Sequence, residues 1–299
     1  MPERLVTYLW LCLAALAAGA VNAVAGGGTL LTFPALVAVM ASSVRANTTS
    51  TVALVPGSLA SAWGYRRELW ACRRWAFVLA WPSLAGGLLG ALLLTQLEEA
   101  YFKAVVPWLI LLAALLFLAQ PTLSKLRQTP ADRTAPSRRT LAGVIFFQFL
   151  VAVYGGYFGA GIGILMLSSL GLMGLGDIHR MNALKTFLAV CINGISVAWF
   201  VVTDQVDWRY ALVMAVAAIV GGYLGARVAR RLPRNLVRWI VIAIGFGLAG
   251  YFFYQQWSDR ELSIEDGRSR MEGEGTALII SRGMPVAQLR NWLWRLGGL

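Results

Sequence analysis

Histidine occurs once in this chain, at position 179, and cysteine three times, at Cys12, Cys72 and Cys191. The cysteines lie far apart, show no CxxC or Cys/His spacing, and two of them fall inside apolar runs, so they make neither a disulfide framework nor a metal site. They read as small core residues. Charge is scarce too: 13% of residues are charged, where soluble domains carry about a quarter. Asp and Glu together number 14 and almost none falls within an apolar run, which removes the paired acid and base, or the ligand cluster, that a membrane enzyme needs. No GxxxxGK[ST] loop is present, so ATP-driven transport by this chain is excluded. The sequence therefore predicts no catalytic residue, no metal and no cofactor.

Apolar sequence is what the chain has in abundance: 58% of its 299 residues are hydrophobic and the mean hydropathy is +0.66. A hydrocarbon core takes about 20 residues to cross, and runs suited to it recur at Leu5–Ala25, Val52–Trp63, Trp75–Thr95, Ala104–Ala119, Leu141–Phe158, Ala183–Val202, Tyr210–Ala226 and Val237–Tyr254. The formal net charge of +12 does not point to nucleic acid, because the arginines and lysines sit at the ends of these runs rather than on one soluble face. The N-terminus imitates a signal peptide, with Arg4, then Leu5–Ala18, then small residues around Val21-Asn22-Ala23. Its counterpart deep inside the chain argues that it is retained.

That counterpart belongs to an internal repeat. Gly26/Gly161, Gly28/Gly163, Arg45/Arg180, Asn47/Asn182, Ser61/Ser196, Gly86/Gly221, Gly87/Gly222 and Gly90/Gly225 are all 135 residues apart, as 26 and 161 are. No gap is needed from Gly26 to Lys103/Arg238, which indicates duplication of one fold. Each half reads as a helix, a glycine-rich break, a short helix, a third run and two ordinary spans. The chain divides into a first membrane repeat over 1–119, a basic linker over 120–139, a second repeat over 140–257 and a polar tail over 258–299. Pro285–Leu299 has the apolar spacing of an interfacial helix.

Short cytoplasmic loops accumulate Lys and Arg. Arg66, Arg67, Arg73 and Arg74 place the link before Trp75 in the cytoplasm, with the linker and the Arg227–Arg234 cluster. Glu98–Lys103 and Asp204–Arg209 lack that excess and are expected outside. Equivalent links then face opposite sides, so the halves are inverted, an architecture of secondary transporters with the substrate site at the repeat interface. The expected fold is an all-α polytopic membrane protein of two inverted repeats with glycine-broken helices and about eight to ten membrane segments, set in a bacterial inner membrane. Tryptophans flanking the runs, Trp63, Trp70, Trp75, Trp81, Trp199 and Trp208, fit an interfacial belt.

Two matched pairs carry the expected chemistry. Gly26-Gly27-Gly28 and the break holding Gly161 and Gly163 open backbone where lipid does not tolerate it, so those amides must face protein or a cavity. A helix restarting after each break aims free N–H groups and the positive end of its dipole there, which suits an anion. Close helix packing is the competing reading of any one cluster; recurrence in both halves favours a site. Asn47, Thr48 and Ser50, and Asn182 with Lys185, open an apolar helix in each half. Capping competes with ligand binding for the first three. Lys185 lies one turn into a run otherwise apolar to Val202, where an ionisable group faces a pathway unless it snorkels to the surface. Gly86-Gly87-Leu88-Leu89-Gly90 and its mate Gly221–Gly225 read as close helix packing, and Asn22 with its mate Tyr157, Ser58, Gln148 and Asn193 as interhelical hydrogen bonds rather than ligand contacts.

These residues, together with Ala46–Ser50, Tyr154–Gly163, Asn182–Lys185, Val206-Asp207-Trp208 and Gly221–Ala226, resemble the sulfite exporter TauE/SafE family of membrane transporters. The resemblance covers most of both repeats but not the tail after Ser258. It implies a transport class: members of the family are associated with export or uptake of sulfur-containing anions such as sulfite and organosulfonates, so a small anion of this kind is the expected substrate, with the lipid bilayer as the other partner. The expected function is secondary transport, with export the direction the family implies. An anion channel, or an accessory protein acting through its tail, is the alternative. Substrate, direction, coupling ion and oligomeric state, a homo-oligomer included, stay open.

Overall fold

The computed structural model describes residues 2–24, 27–126, 137–171, 173, 178–228 and 239–258, and every regular element among them is a helix. These are α1 (Pro2–Val24), α2 (Thr29–Val37), α3 (Ser43–Gly64), α4 (Arg66–Ala71), α5 (Arg73–Gln96), α6 (Glu99–Leu126), α7 (Arg138–Tyr157), α8 (Ile162–Gly171), α9 (Ile178–Val202), α10 (Trp208–Val228) and α11 (Trp239–Ser258). The chain forms two compact units, Met1–Gly250 and Tyr251–Leu299. The packing considered below lies within the first.

Six helices are long and apolar enough to cross a membrane: α1, α5, α6, α7, α9 and α11. Helix α3 has 22 residues, about 33 Å, but its opening stretch of Asn, Thr and Ser keeps it out of that class. In α10 the apolar stretch is shorter, Trp208–Tyr223. Large apolar side chains point outward, Trp81 at 74% exposure and Phe77 at 72% among them. Such a surface suits hydrocarbon as its solvent.

The helices follow the repeat. At an offset of 135 residues α1 matches α7, α2 matches α8, α3 matches α9, α5 matches α10 and α6 matches α11. Only α4 has no mate. Packing exchanges the halves: α1 lies on α10 while α7 lies on α5, and α3 lies on α10 while α9 lies on α5. Glycine makes these approaches possible. A Cβ on Gly86 would come within 2.5 Å of the Phe149 carbonyl oxygen, and one on Gly221 within 2.0 Å of that of Leu16. The expected packing role of both clusters is thereby met at Gly86, Gly87, Gly90 and Gly221. Ser83 accepts a 2.9 Å bond from Gln148 Nε2 across α5 and α7, and Ser196 donates to the Gly87 carbonyl at 3.2 Å across α9 and α5.

Two helix starts differ from the sequence reading. Helix α3 begins at Ser43, where the Ser42 hydroxyl accepts from Arg45 N and Glu99 Oε1 accepts from Ser43 N at 2.7 Å. The orphan amides of that end are thus met before Asn47 is reached. Capping therefore does not occupy Asn47, which lies a full turn inside the helix. Helix α9 likewise opens at Ile178, ahead of Asn182. Helix α6 continues past Pro121 to Leu126, into the segment read as linker. The Trp199 indole N–H donates to Thr95 Oγ1 at 2.9 Å, tying α9 to α5. Trp63, Trp70 and Trp75 lie beneath the guanidinium groups of Arg66, Arg73 and Arg74, 5.2–5.8 Å from ring centre to carbon.

Candidate substrate site

The second break is the better defined. Helix α7 ends at Tyr157, Gly159 and Gly161 take φ of +85° and +79°, and α8 restarts at Ile162. Only glycine adopts that backbone region at little cost, so the chain can stop one helix and start another within a few residues. Tyr154 Oη donates to the Ala160 carbonyl at 2.6 Å and pins the loop from within. Phe33 of α2 stacks edge-on against Phe158 at 5.4 Å. The Lys185 side chain passes Gly163 closely enough that a Cβ there would lie 3.3 Å from its Cδ.

At the first break Gly27 and Gly28 are buried, and Gly26 lies outside the described residues. A Cβ on Gly27 would sit 2.3 Å from the Phe117 ring, and one on Gly28 2.8 Å from the Ala18 carbonyl oxygen. The Gly28 carbonyl accepts from Leu31 N and Thr32 N, opening α2.

Helix α6 touches both breaks. Phe117 fills the space beside Gly27, while Ala113 and Leu116 lie 3.6–3.8 Å from the Cβ position of Gly161. Residues 113–117 are little more than one helical turn, about 6 Å of rise, so the breaks flank a single stretch of α6. Helix α3 joins them a second way. Thr32 Oγ1 is bonded to the Gly28 carbonyl at 3.3 Å and to Ser50 Oγ. Asn47, one turn earlier on the same face, donates from Nδ2 to the Tyr157 carbonyl at 3.0 Å.

The remaining candidates divide. Asn47, Thr48 and Ser50 are buried, at 1% exposure or less. The Thr48 hydroxyl is engaged by the Arg45 and Gln205 carbonyls, and Thr49 Oγ1 accepts from Asp207 N at 3.0 Å, so these two side chains fasten the α9–α10 link to the start of α3. Asn182 is half-buried, its carbonyl accepting from Thr186 Oγ1 at 2.8 Å. Lys185 shares its helix face three residues on. Thr32, Phe117, Tyr154 and Tyr157 were not among the expected site residues. Of these Tyr157 had a visible signal, since it is the repeat mate of Asn22.

The description "Sulfite exporter TauE/SafE" matches residues 11–252. A probable membrane transporter protein of Haemophilus influenzae is 32% identical over 238 residues, covering 79% of this chain and 90% of its own length. The probable membrane transporter protein ORF9 of a Sinorhizobium species is 28% identical over 241 residues, covering 80% and 90%. The probable membrane transporter protein YfcA of Escherichia coli K12 is 26% identical over 245 residues, covering 80% and 87%. No solved structure matches the chain. With both glycine breaks and most of both repeats inside the matched span, the chain belongs to the sulfite exporter TauE/SafE family and is a multi-pass membrane transport protein.

Proposed function

We propose that this protein is a secondary transporter of a small anion, a sulfur oxyanion or organosulfonate, in the bacterial cell membrane. The observation that carries the reading is the meeting of the two glycine breaks on one turn of α6. Two helices restart there, α2 after Gly28 and α8 after Gly161, and each brings the positive end of its dipole. Lys185 brings a full positive charge beside Gly163. The proposed ligand contacts are Gly26, Gly27, Gly28, Asn47, Ser50, Gly161, Gly163, Asn182 and Lys185, with Thr48 holding the helix that presents them.

Inverted repeats accord with the exchanged packing of α1–α10 and α7–α5. The first two turns of α3 are bonded to Glu99, Asp204 and Gln205, whereas its far end leads into Arg66–Arg74, so matched links meet opposite ends of one helix. Eight long helices and the two short ones after the breaks agree with about eight to ten membrane segments. Burial of Gly27, Gly161, Gly163 and Asn47 favours a carrier that occludes its ligand over an open channel. Sulfur chemistry and export come from the family description alone.

Purified protein in liposomes is expected to take up labelled sulfite or an organosulfonate, and to accumulate it uphill when a counter-gradient of unlabelled anion or a pH gradient is imposed. Lys185→Gln should reduce uptake at least tenfold, and Lys185→Arg should keep part of it because charge survives while geometry changes. Wild-type uptake by correctly inserted Lys185→Gln protein would remove lysine from the site. Flux that never runs against a gradient would make the protein a channel.

A further inference from the structure

Asn47 carries a polar atom that no group among the described residues satisfies. Its side chain is 1% exposed, and Nδ2 donates to the Tyr157 carbonyl at 3.0 Å at the edge of the second break. That bond fixes which way the amide faces, because a carbonyl only accepts and so must meet the –NH2 side. Oδ1 is left pointing elsewhere, buried and without a hydrogen-bond partner among the described residues. Buried carbonyl oxygens in this condition are rare and costly. The other orphaned amide oxygen among the described residues, on Gln148, belongs to the α5–α7 contact with Ser83. The repeat mate of Asn47, Asn182, is half-buried and has no such problem.

An acceptor inside an anion site is a constraint on the anion. Oxyanion oxygens are acceptors themselves, so a fully deprotonated ligand adds a second lone pair against Oδ1 and leaves both unsatisfied. A ligand bearing its own O–H or N–H supplies the missing donor. The helix N-termini and Lys185 then answer its negative charge, while Asn47 answers its donor. Resting on the anion-transport reading above, we infer that the site selects monoanions that keep a hydrogen-bond donor, namely protonated oxyanions and hydroxyl-bearing sulfonates, with Asn47 Oδ1 as the acceptor.

The test compares ethanesulfonate with 2-hydroxyethanesulfonate, which differ by one hydroxyl, for binding to the purified full-length protein. Wild-type protein is expected to prefer the hydroxylated ligand by about tenfold or more, since a site built around a buried polar group discriminates against the analogue that leaves it unpaired. Asn47→Leu should abolish the preference, the ratio of the two affinities falling to about one whatever the change in their common affinity, and a preference that survives in this variant overturns the assignment to Oδ1. A second measurement needs no variant: sulfite affinity should fall as pH rises through the titration of the hydrogen sulfite ion, while ethanesulfonate, which does not titrate there, stays level. Equal binding of the two sulfonates by wild type, with loss of both in Lys185→Gln, overturns the donor rule and leaves the anion site standing. Failure of every anion to bind overturns both.

Discussion

At the scale of single residues, the two breaks use glycine for different physical reasons. Gly161 needs it for its backbone, since φ of +79° costs other L-residues about 1–2 kcal/mol, yet a Cβ there would meet Leu116 only at an ordinary 3.6 Å. Gly27 needs it for space, because the Phe117 ring occupies the place of a Cβ. Gly27→Ala should therefore lose transport and be rescued in part by Phe117→Leu, whereas Gly161→Ala should not be rescued by Leu116→Ala. Transport rates in liposomes, with Tm of the purified variants, check this. Rescue of both, or of neither, would contradict the distinction. Both glycines are legible in the sequence through their shared offset; which of them answers to backbone and which to a neighbour is not, because Phe117 reaches Gly27 from another helix 90 residues along the chain. Thr32 was invisible for a related reason: its repeat mate is Leu167, so its bonds to Gly28 and Ser50 leave no trace in the repeat pattern.

At the scale of elements, glycine-lined contacts hold the halves together. Without a hydrophobic drive between helices in lipid, their association depends on close van der Waals approach, and Gly86 and Gly221 lie within Cβ-clash distance of the backbones of α7 and α1. Gly86→Leu or Gly221→Leu should force those helices apart, at a cost on the order of 1–3 kcal/mol or more. Gly143, on α7 with nothing within 4 Å of its Cβ position, is the internal control. Gly143→Ala should be neutral or slightly stabilising, as Ala is the better helix former. Thermal unfolding in detergent would tell them apart: an unchanged Tm for Gly86→Leu would mean that α5 and α7 are not packed this closely. These clusters were readable because a glycine recurring in a helix has few other uses. The start of α3 was not, since Ser42-Ser43 and Asn47–Thr51 offer several capping signals in a row and the deciding partner, Glu99, comes from α6.

At the scale of the whole molecule, one turn of α6 serves both breaks because each half lends its first helix to the other. The sense of packing supports this. Along α1 and α10, Tyr8 meets Tyr210 and Leu16 meets Gly221; along α5 and α7, Ser83 meets Gln148 and Gly90 meets Val153. Both pairs are parallel; α5 and α7 start at Arg73-Arg74 and Arg138-Arg139, and α10 starts beside Asp204 and Asp207. Duplication was legible from the constant offset, but the exchange of helices was not, because no local pattern encodes which distant helix fills a glycine groove. The central claim is that the two halves enter the membrane in opposite senses around one site. Single cysteines placed in a cysteine-free variant, one set at 66–74 and one at 204–209, test it by labelling with a membrane-impermeant maleimide in intact cells. The account predicts labelling at 204–209 alone, with 66–74 reached only after the cells are opened. Labelling of both sets from the outside would contradict it.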